Sequence, residues 1–109
     1  MTGGKDIQIG KGAGNNQIVV GSKLSVSTSE AGAFAFGDTN TIENNGEHSG
    51  VFGGNNTIND KNSLCGGDHN TVNASVGGGD GSNIVVGSQN YVQSSKSAVF
   101  GSQNYVEQL

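Results

Sequence analysis

The chain has 109 residues, a formal net charge of −4 and a pI near 4.8, and its five basic residues are all lysine, which speaks against an electrostatic nucleic-acid site. Only 31% of residues are apolar while 20 are glycine, so one chain buries little core and depends on stacked repetition or on association with copies of itself. Apolar runs such as IVV at 18–20 and 84–86 fall far short of a membrane span, and the opening MTGGK lacks the apolar middle of a signal peptide.

Residues 1–4 read as a leftover of expression, and 5–109 as a single domain. Short β-type segments recur through that domain, beginning with IQIG at 7–10 and IVVG at 18–21. A weak copy of a pattern ends at Ile18 with Asn16, and another at Val26 with Leu24 in the asparagine place. SVSTSEAG at 25–32 reads as a loop leaving the coil. AFAFG then leads into a clear copy, Phe36-Gly37-Asp38-Thr39-Asn40-Thr41-Ile42. ENNGEHSG at 43–50 reads as a second loop, followed by Phe52-Gly53-Gly54-Asn55-Asn56-Thr57-Ile58. Gly67 to Val72 repeats the pattern with Asn70, and a weak copy ends at Ile84 with Ser82. The hexapeptide GSQNYV then occurs twice, at 87–92 and 101–106.

Aligned this way, the anchors fall at 18, 26, 42, 58, 72, 84, 92 and 106, which implies about eight coils. Each position has a physical reason. Gly37, Gly53, Gly67, Gly87 and Gly101 permit a turn that a side chain obstructs. Asparagine tolerates positive φ best among the other residues, so Asn40, Asn56, Asn70, Asn90 and Asn104 are expected to take a second bend. Strand, turn, strand and loop make one coil of an all-β parallel β-solenoid or β-roll. Its aliphatic side chains alternate inward, and its asparagines stack into side-chain ladders. Eight coils at about 4.8 Å spacing predict a rod about 40 Å tall. Stacked repeats build surfaces rather than single reactive constellations, so no enzyme activity, catalytic residue or cofactor is expected.

These repeats resemble the YadA-like head, or haemagglutinin repeat, of trimeric autotransporter adhesins. That family's N-S-V-A-I-G core is similar to Asn62-Ser63-Leu64-Cys65-Gly66-Gly67 and to Ser97-Ala98-Val99-Phe100-Gly101. The resemblance covers roughly residues 7–106. It implies a left-handed parallel β-roll that trimerises side by side with one sheet of each chain facing the threefold axis. It also implies a head that adheres to matrix proteins, receptors or other bacteria at the cell surface, as part of an outer-membrane-anchored virulence protein. No stalk heptads or anchor occur here, and only one copy keeps Asn-Ser, which weighs against collagen as the ligand. Similar repeats also occur in phage tail fibres, which gives a virion alternative.

Three further features carry weaker signals. GGDGSNIVVG at 78–87 is similar to the calcium-binding RTX nonapeptide, with Asn83 in the aspartate place; a calcium stack needs several carboxylate-bearing copies, so calcium is the lesser reading. Cys65, Asp68 and His69 lie close in sequence but supply too few ligands for a metal, and Cys65 reads as a small buried apolar residue. Tyr91 and Tyr105 share one repeat position and form the candidate contact surface for an extracellular protein or glycan if they face outward; facing the axis, they would be interface packing.

Overall fold

A computed structural model describes residues 8–9, 18–26, 32–43, 48–74 and 81–107. The expression leftover expected at 1–4, Asn16, the loop interiors at 27–31 and 44–47, and residues 78–80 of the RTX-like stretch lie outside these residues.

Two sheets wind together. Six strands of five residues form one sheet: β2 (Ile18–Ser22), β4 (Phe34–Asp38), β6 (Gly50–Gly54), β8 (Leu64–Asp68), β10 (Ile84–Ser88) and β12 (Ala98–Ser102). The other sheet takes the short strands β3 (Ser25–Val26), β5 (Thr41–Ile42), β7 (Thr57–Asn59), β9 (Thr71–Asn73), β11 (Tyr91–Gln93) and β13 (Tyr105–Glu107). All pairs within these two sets are parallel and in register, glycine on glycine in the long sheet and aliphatic on aliphatic in the short one. The chain is an all-β solenoid of about five turns from the first strand pair to the last.

The eight-coil count is corrected by this register. Ile18 and Ile84 do not continue the column of Val26, Ile42, Ile58, Val72, Val92 and Val106; they open long strands and pair with Phe34, Leu64 and Ala98. The two kinds of strand carry similar apolar residues, so sequence alignment merged positions that belong to opposite sheets. Six strand pairs at about 4.8 Å span roughly 24 Å rather than 40 Å. Two smaller corrections follow. Ser25 and Val26 form β3 and Gly50 opens β6, so the loops are shorter than 25–32 and 43–50. At the N-terminal end, β1 (Gln8–Ile9) pairs with β2 antiparallel, outside the parallel rule.

The core is one residue thick from each sheet. Ala35, Val51, Cys65 and Val85 face Ile42, Ile58, Val72 and Val92, all fully buried. Burying a valine or isoleucine side chain contributes about 1.5–3 kcal/mol, so this single stripe is the main apolar stabilisation inside one chain.

Candidate functional site

Each coil turns twice, and the first corner is built to one plan. Long strand and short strand are joined by two residues in every coil, as in Thr39-Asn40, Asn55-Asn56, His69-Asn70, Gln89-Asn90 and Gln103-Asn104. Positive φ belongs to the first of each pair, at 59°, 59°, 59°, 57° and 58°. The expectation that Asn40, Asn56, Asn70, Asn90 and Asn104 take the bend is therefore corrected by one position. The preceding residue absorbs the left-handed conformation, and that aims the asparagine side chain inward, where Asn40, Asn56, Asn70 and Asn90 are buried.

Inside, the asparagines form a continuous ladder. Oδ1 of Asn56 accepts from the backbone N–H of Asn70 at 3.0 Å and from its Nδ2 at 3.0 Å, and Asn70 does the same for Asn90. Nδ2 of Asn56 also donates to the carbonyl of Phe52 at 3.2 Å in its own coil and to that of Gly67 at 2.9 Å in the next. The remaining corner amides are accounted for by backbone bonds between coils: His69 N–H reaches Gly54 O at 3.0 Å, and Thr71 N–H reaches Asn90 O at 2.9 Å. Aspartate here would stack buried carboxylates a strand spacing apart, and leucine would strip the next coil's N–H of its acceptor.

This geometry explains the G-x-x-N spacing. Gly53 has φ of 114°, and a Cβ on it would collide with the carbonyl oxygen of Gly67 in the coil above. That same oxygen is held by Nδ2 of Asn56, three residues after Gly53. One glycine clears the space, and one asparagine fills it with a hydrogen-bonded carbonyl. Asn40 with Gly53 O, Asn70 with Gly87 O and Asn90 with Gly101 O repeat the arrangement at 2.8–2.9 Å.

Sequence reading missed the second corner. Its inward residues are Ala33, Ser49, Ser63, Asn83 and Ser97, and each of the last four again follows a residue of positive φ: His48, Asn62, Ser82 and Lys96. Ser63 N–H donates to Ser49 Oγ, Asn83 N–H to Ser63 Oγ and Ser97 N–H to Asn83 Oδ1, at 3.0, 3.2 and 3.0 Å. Asn83 Nδ2 donates to Asp60 Oδ2 at 2.8 Å and to Ser94 O at 2.7 Å. Asp60 is buried, and its other oxygen accepts the Lys61 N–H at 3.0 Å. The RTX-like asparagine is thus a structural rung, its amide engaged by protein partners on both sides. The signal available in sequence was the column Ser49, Ser63, Ser97, obscured by differing residue types and loop lengths.

The two outer faces differ sharply. The first and third positions of the long strands carry apolar side chains or glycine, with Ile18, Phe36, Phe52, Ile84 and Phe100 exposed, Phe100 by 68%, while the fifth position carries Ser22, Asp38, Gly54, Asp68, Ser88 and Ser102 along one margin. Phe34 lies over Gly50 and Phe52 over Gly66, where a Cβ would strike the ring. Outward positions of the short sheet are Ser25, Thr41, Thr57, Thr71, Tyr91 and Tyr105, followed two residues on by Glu43, Asn59, Asn73, Gln93 and Glu107.

Tyr91 and Tyr105 therefore stand on the outer side of the polar sheet. Their rings stack at 4.9 Å with an 11° interplanar angle. Tyr91 Oη accepts from Asn73 Nδ2 at 3.3 Å and donates to Gln93 Oε1 at 3.3 Å; Tyr105 Oη donates to Glu107 Oε2 at 3.1 Å. That bond to Glu107, above all, raises the Tyr105 pKa.

Cys65, Asp68 and His69 are not brought together. Cys65 points into the core between Val51 and Val85, and burial pushes its thiol up to about 12. Asp68 and His69 are exposed, with Nδ1 of His69 2.9 Å from Oδ2 of Asp68. The hydrogen bond from His69 is the largest influence holding the Asp68 carboxyl below its ordinary value. Among the described residues no cluster of three or more His, Cys, Asp or Glu converges on one point. No protein-family model, curated protein or solved structure matches this chain.

Proposed function

We propose that this chain is the non-enzymatic head of a cell-surface adhesin, a left-handed β-roll that assembles side by side into a homotrimer and presents its polar sheets outward to an extracellular protein or glycan. The observation that carries the reading is the contrast between the two outer faces. Strands covered on both sides read as near-continuous apolar runs, whereas strands with one wet face alternate. IVVG, FAFG and AVFG belong to the first kind, and TIN, TVN and YVQ to the second. An apolar sheet face of this extent is unusual on a monomer and marks an association surface. Two further copies of the same chain fit it, since the apolar first and third positions of the long strands repeat in register from β2 to β12, as the haemagglutinin-repeat resemblance also implies.

In this reading the polar sheet is the contact surface, with the stacked Tyr91–Tyr105 pair as its aromatic element. Three copies of one face raise avidity beyond each weak contact. The test has two readouts. Light scattering should give a mass near 33 kDa, three chains of 11.0 kDa, and Phe52→Asp should shift it to monomer. A stable monomer for the unaltered chain would sink the assembly. Tyr91→Ser/Tyr105→Ser should keep the trimer and lower capture on fibronectin-coated or host-cell-coated surfaces; unchanged capture removes the tyrosine pair from the contact surface. Far-ultraviolet circular dichroism before and after EDTA separates the calcium reading, which requires the β signal to collapse.

A further inference from the structure

The two margins of the long sheet carry different charge. Along the margin where its strands end stand Ser22, Asp38, Gly54, Asp68, Ser88 and Ser102. Along the margin where they begin, the residues just ahead of β6, β8 and β12 include His48, Lys61 and Lys96. Among the described residues only β8 has opposite charges at its two ends: Lys61 stands three residues before Leu64, and Asp68 closes the strand. Asp60, next to Lys61, is buried, with its carboxylate taken up by Asn83 and the Lys61 N–H. The Asp68 side chain is 60% exposed, and hydrogen bonding, above all from His69, keeps its carboxyl below the ordinary value and so ionised. Lys61 is half-buried, and among the described residues no carboxylate lies within ion-pair distance of its ammonium. One chain cannot join the two, because five residues of extended strand hold them about 17 Å apart.

We propose that Asp68 binds Lys61 of the neighbouring copy, once at each of three interfaces, and that this pair locks the copies at one common height. The inference rests on the side-by-side trimer proposed above. Three sheets facing one axis form a triangle in cross-section. Each vertex then joins the margin where one chain's strands end to the margin where its neighbour's begin, which is the head-to-tail contact of a closed ring. In-register parallel pairing keeps each long strand at its own level of the stack. Rotation about an axis parallel to the stack leaves those levels unchanged, so the end of β8 meets the start of β8 in the next copy. At that level one side offers a carboxylate and the other an ammonium. Other levels lack the match: β12 follows Lys96 but ends on Ser102, and β4 ends on Asp38 but follows Gly32 and Ala33. The apolar positions repeat along the stack and fit one another equally well after a shift of one coil, whereas the charge pair forms only at zero shift. Complementary charges at the edge of an interface act in this way, selecting register and excluding wrong pairings more than adding affinity.

The test follows trimer dissociation of the full chain by light scattering over a dilution series. Asp68→Lys and Lys61→Glu each place like charges together at all three vertices and should raise the concentration of half-dissociation by about tenfold or more. Combining the two reversals in one chain restores opposite charges and should return that concentration to within about threefold of the unaltered protein. Asp38→Lys makes the same change of net charge on the same margin, at a level with no described charge opposite, and should also stay within about threefold. Far-ultraviolet circular dichroism should show one β signal throughout, since neither Asp68 nor Lys61 belongs to the core, and either single reversal suffices for the comparison. A trimer that neither reversal weakens overturns the pair. So does a double variant no stronger than the singles, or an equal loss with Asp38→Lys, which marks net charge rather than a contact. A monomeric unaltered chain removes the trimer itself, so failure of the assembly and failure of this contact are read separately.

Discussion

The two corners of each coil use one device and yet tolerate very different chains. In both, a residue of positive φ turns an inward polar side chain onto the N–H of the next coil. At the asparagine corner the connection is always two residues, whereas at the other it runs from four, at 60–63 and 94–97, to ten, at 74–83. The difference lies in what else the side chain must reach. Asparagine also holds the next coil's glycine carbonyl, and a glycine beneath leaves room for it, so both positions and their spacing are bound together. Ser63 donates its proton to Lys61 O in its own turn, at 3.1 Å, and takes only the Asn83 N–H from the next coil, at 3.2 Å, so it holds no glycine carbonyl whose spacing the chain must keep. Insertions therefore leave from the serine corner alone.

The sharpest break comes from the coupled glycine. Gly87→Ala should cost more than about 4 kcal/mol or prevent folding, while Gly101→Ala, with no coil above it among the described residues, should cost about 1–3 kcal/mol of backbone strain. Denaturant melts of the two variants measure this, and equal losses would remove the glycine–asparagine coupling. Next in size, Asn70→Leu leaves Asn90 N–H and Gly87 O without their bonds and should cost about 3 kcal/mol, against about 1 kcal/mol for Ser63→Ala. The same melts decide whether the corners differ in energy as they do in geometry.

A smaller effect locates the bend. Gln89→Val places a β-branched residue at φ of 57° and should cost about 1–2 kcal/mol, whereas Gln89→Asn should stay within about 0.5 kcal/mol. If valine is tolerated as well as asparagine, the left-handed residue has been misplaced. The smallest effect lies in the core between the corners. The buried Cys65 thiol keeps its proton to about 12, while the unfolded chain releases it above its ordinary value of 9.0. The unfolded state then binds fewer protons than the native one, so stability is full below pH 9.0 and falls as pH rises toward 12. Cys65→Val, matching Val51 and Val85 in its column, should flatten that part of the alkaline limb in pH-dependent melts.

Much of the fold was legible because parallel stacking repeats the same demands at the same spacing. Val, Ile and Phe marked strands, glycine marked the turn, and asparagine in register implied the ladder. The assignment of the bend failed by one residue for a physical reason. Thr39, Asn55, His69, Gln89 and Gln103 share no chemistry, since the left-handed position faces solvent and selects only against strain. The coil count failed because Ile18 and Ile84 resemble Val26 and Val92 in type while belonging to the other sheet. For the candidate surface, sequence put Tyr91 and Tyr105 in one column without saying which side they face.

By itself, then, the sequence determined a parallel β-solenoid, since a chain this poor in apolar residues satisfies its backbone only by stacking like upon like. Tertiary structure alone decided which residues meet: that asparagine answers the glycine of the next coil, that the tyrosines stand on the polar sheet, and that the other sheet turns its first and third strand positions, apolar or glycine, outward. Those outcomes depend on register and winding between coils, and residue type at one position carries no record of which neighbour will lie above it.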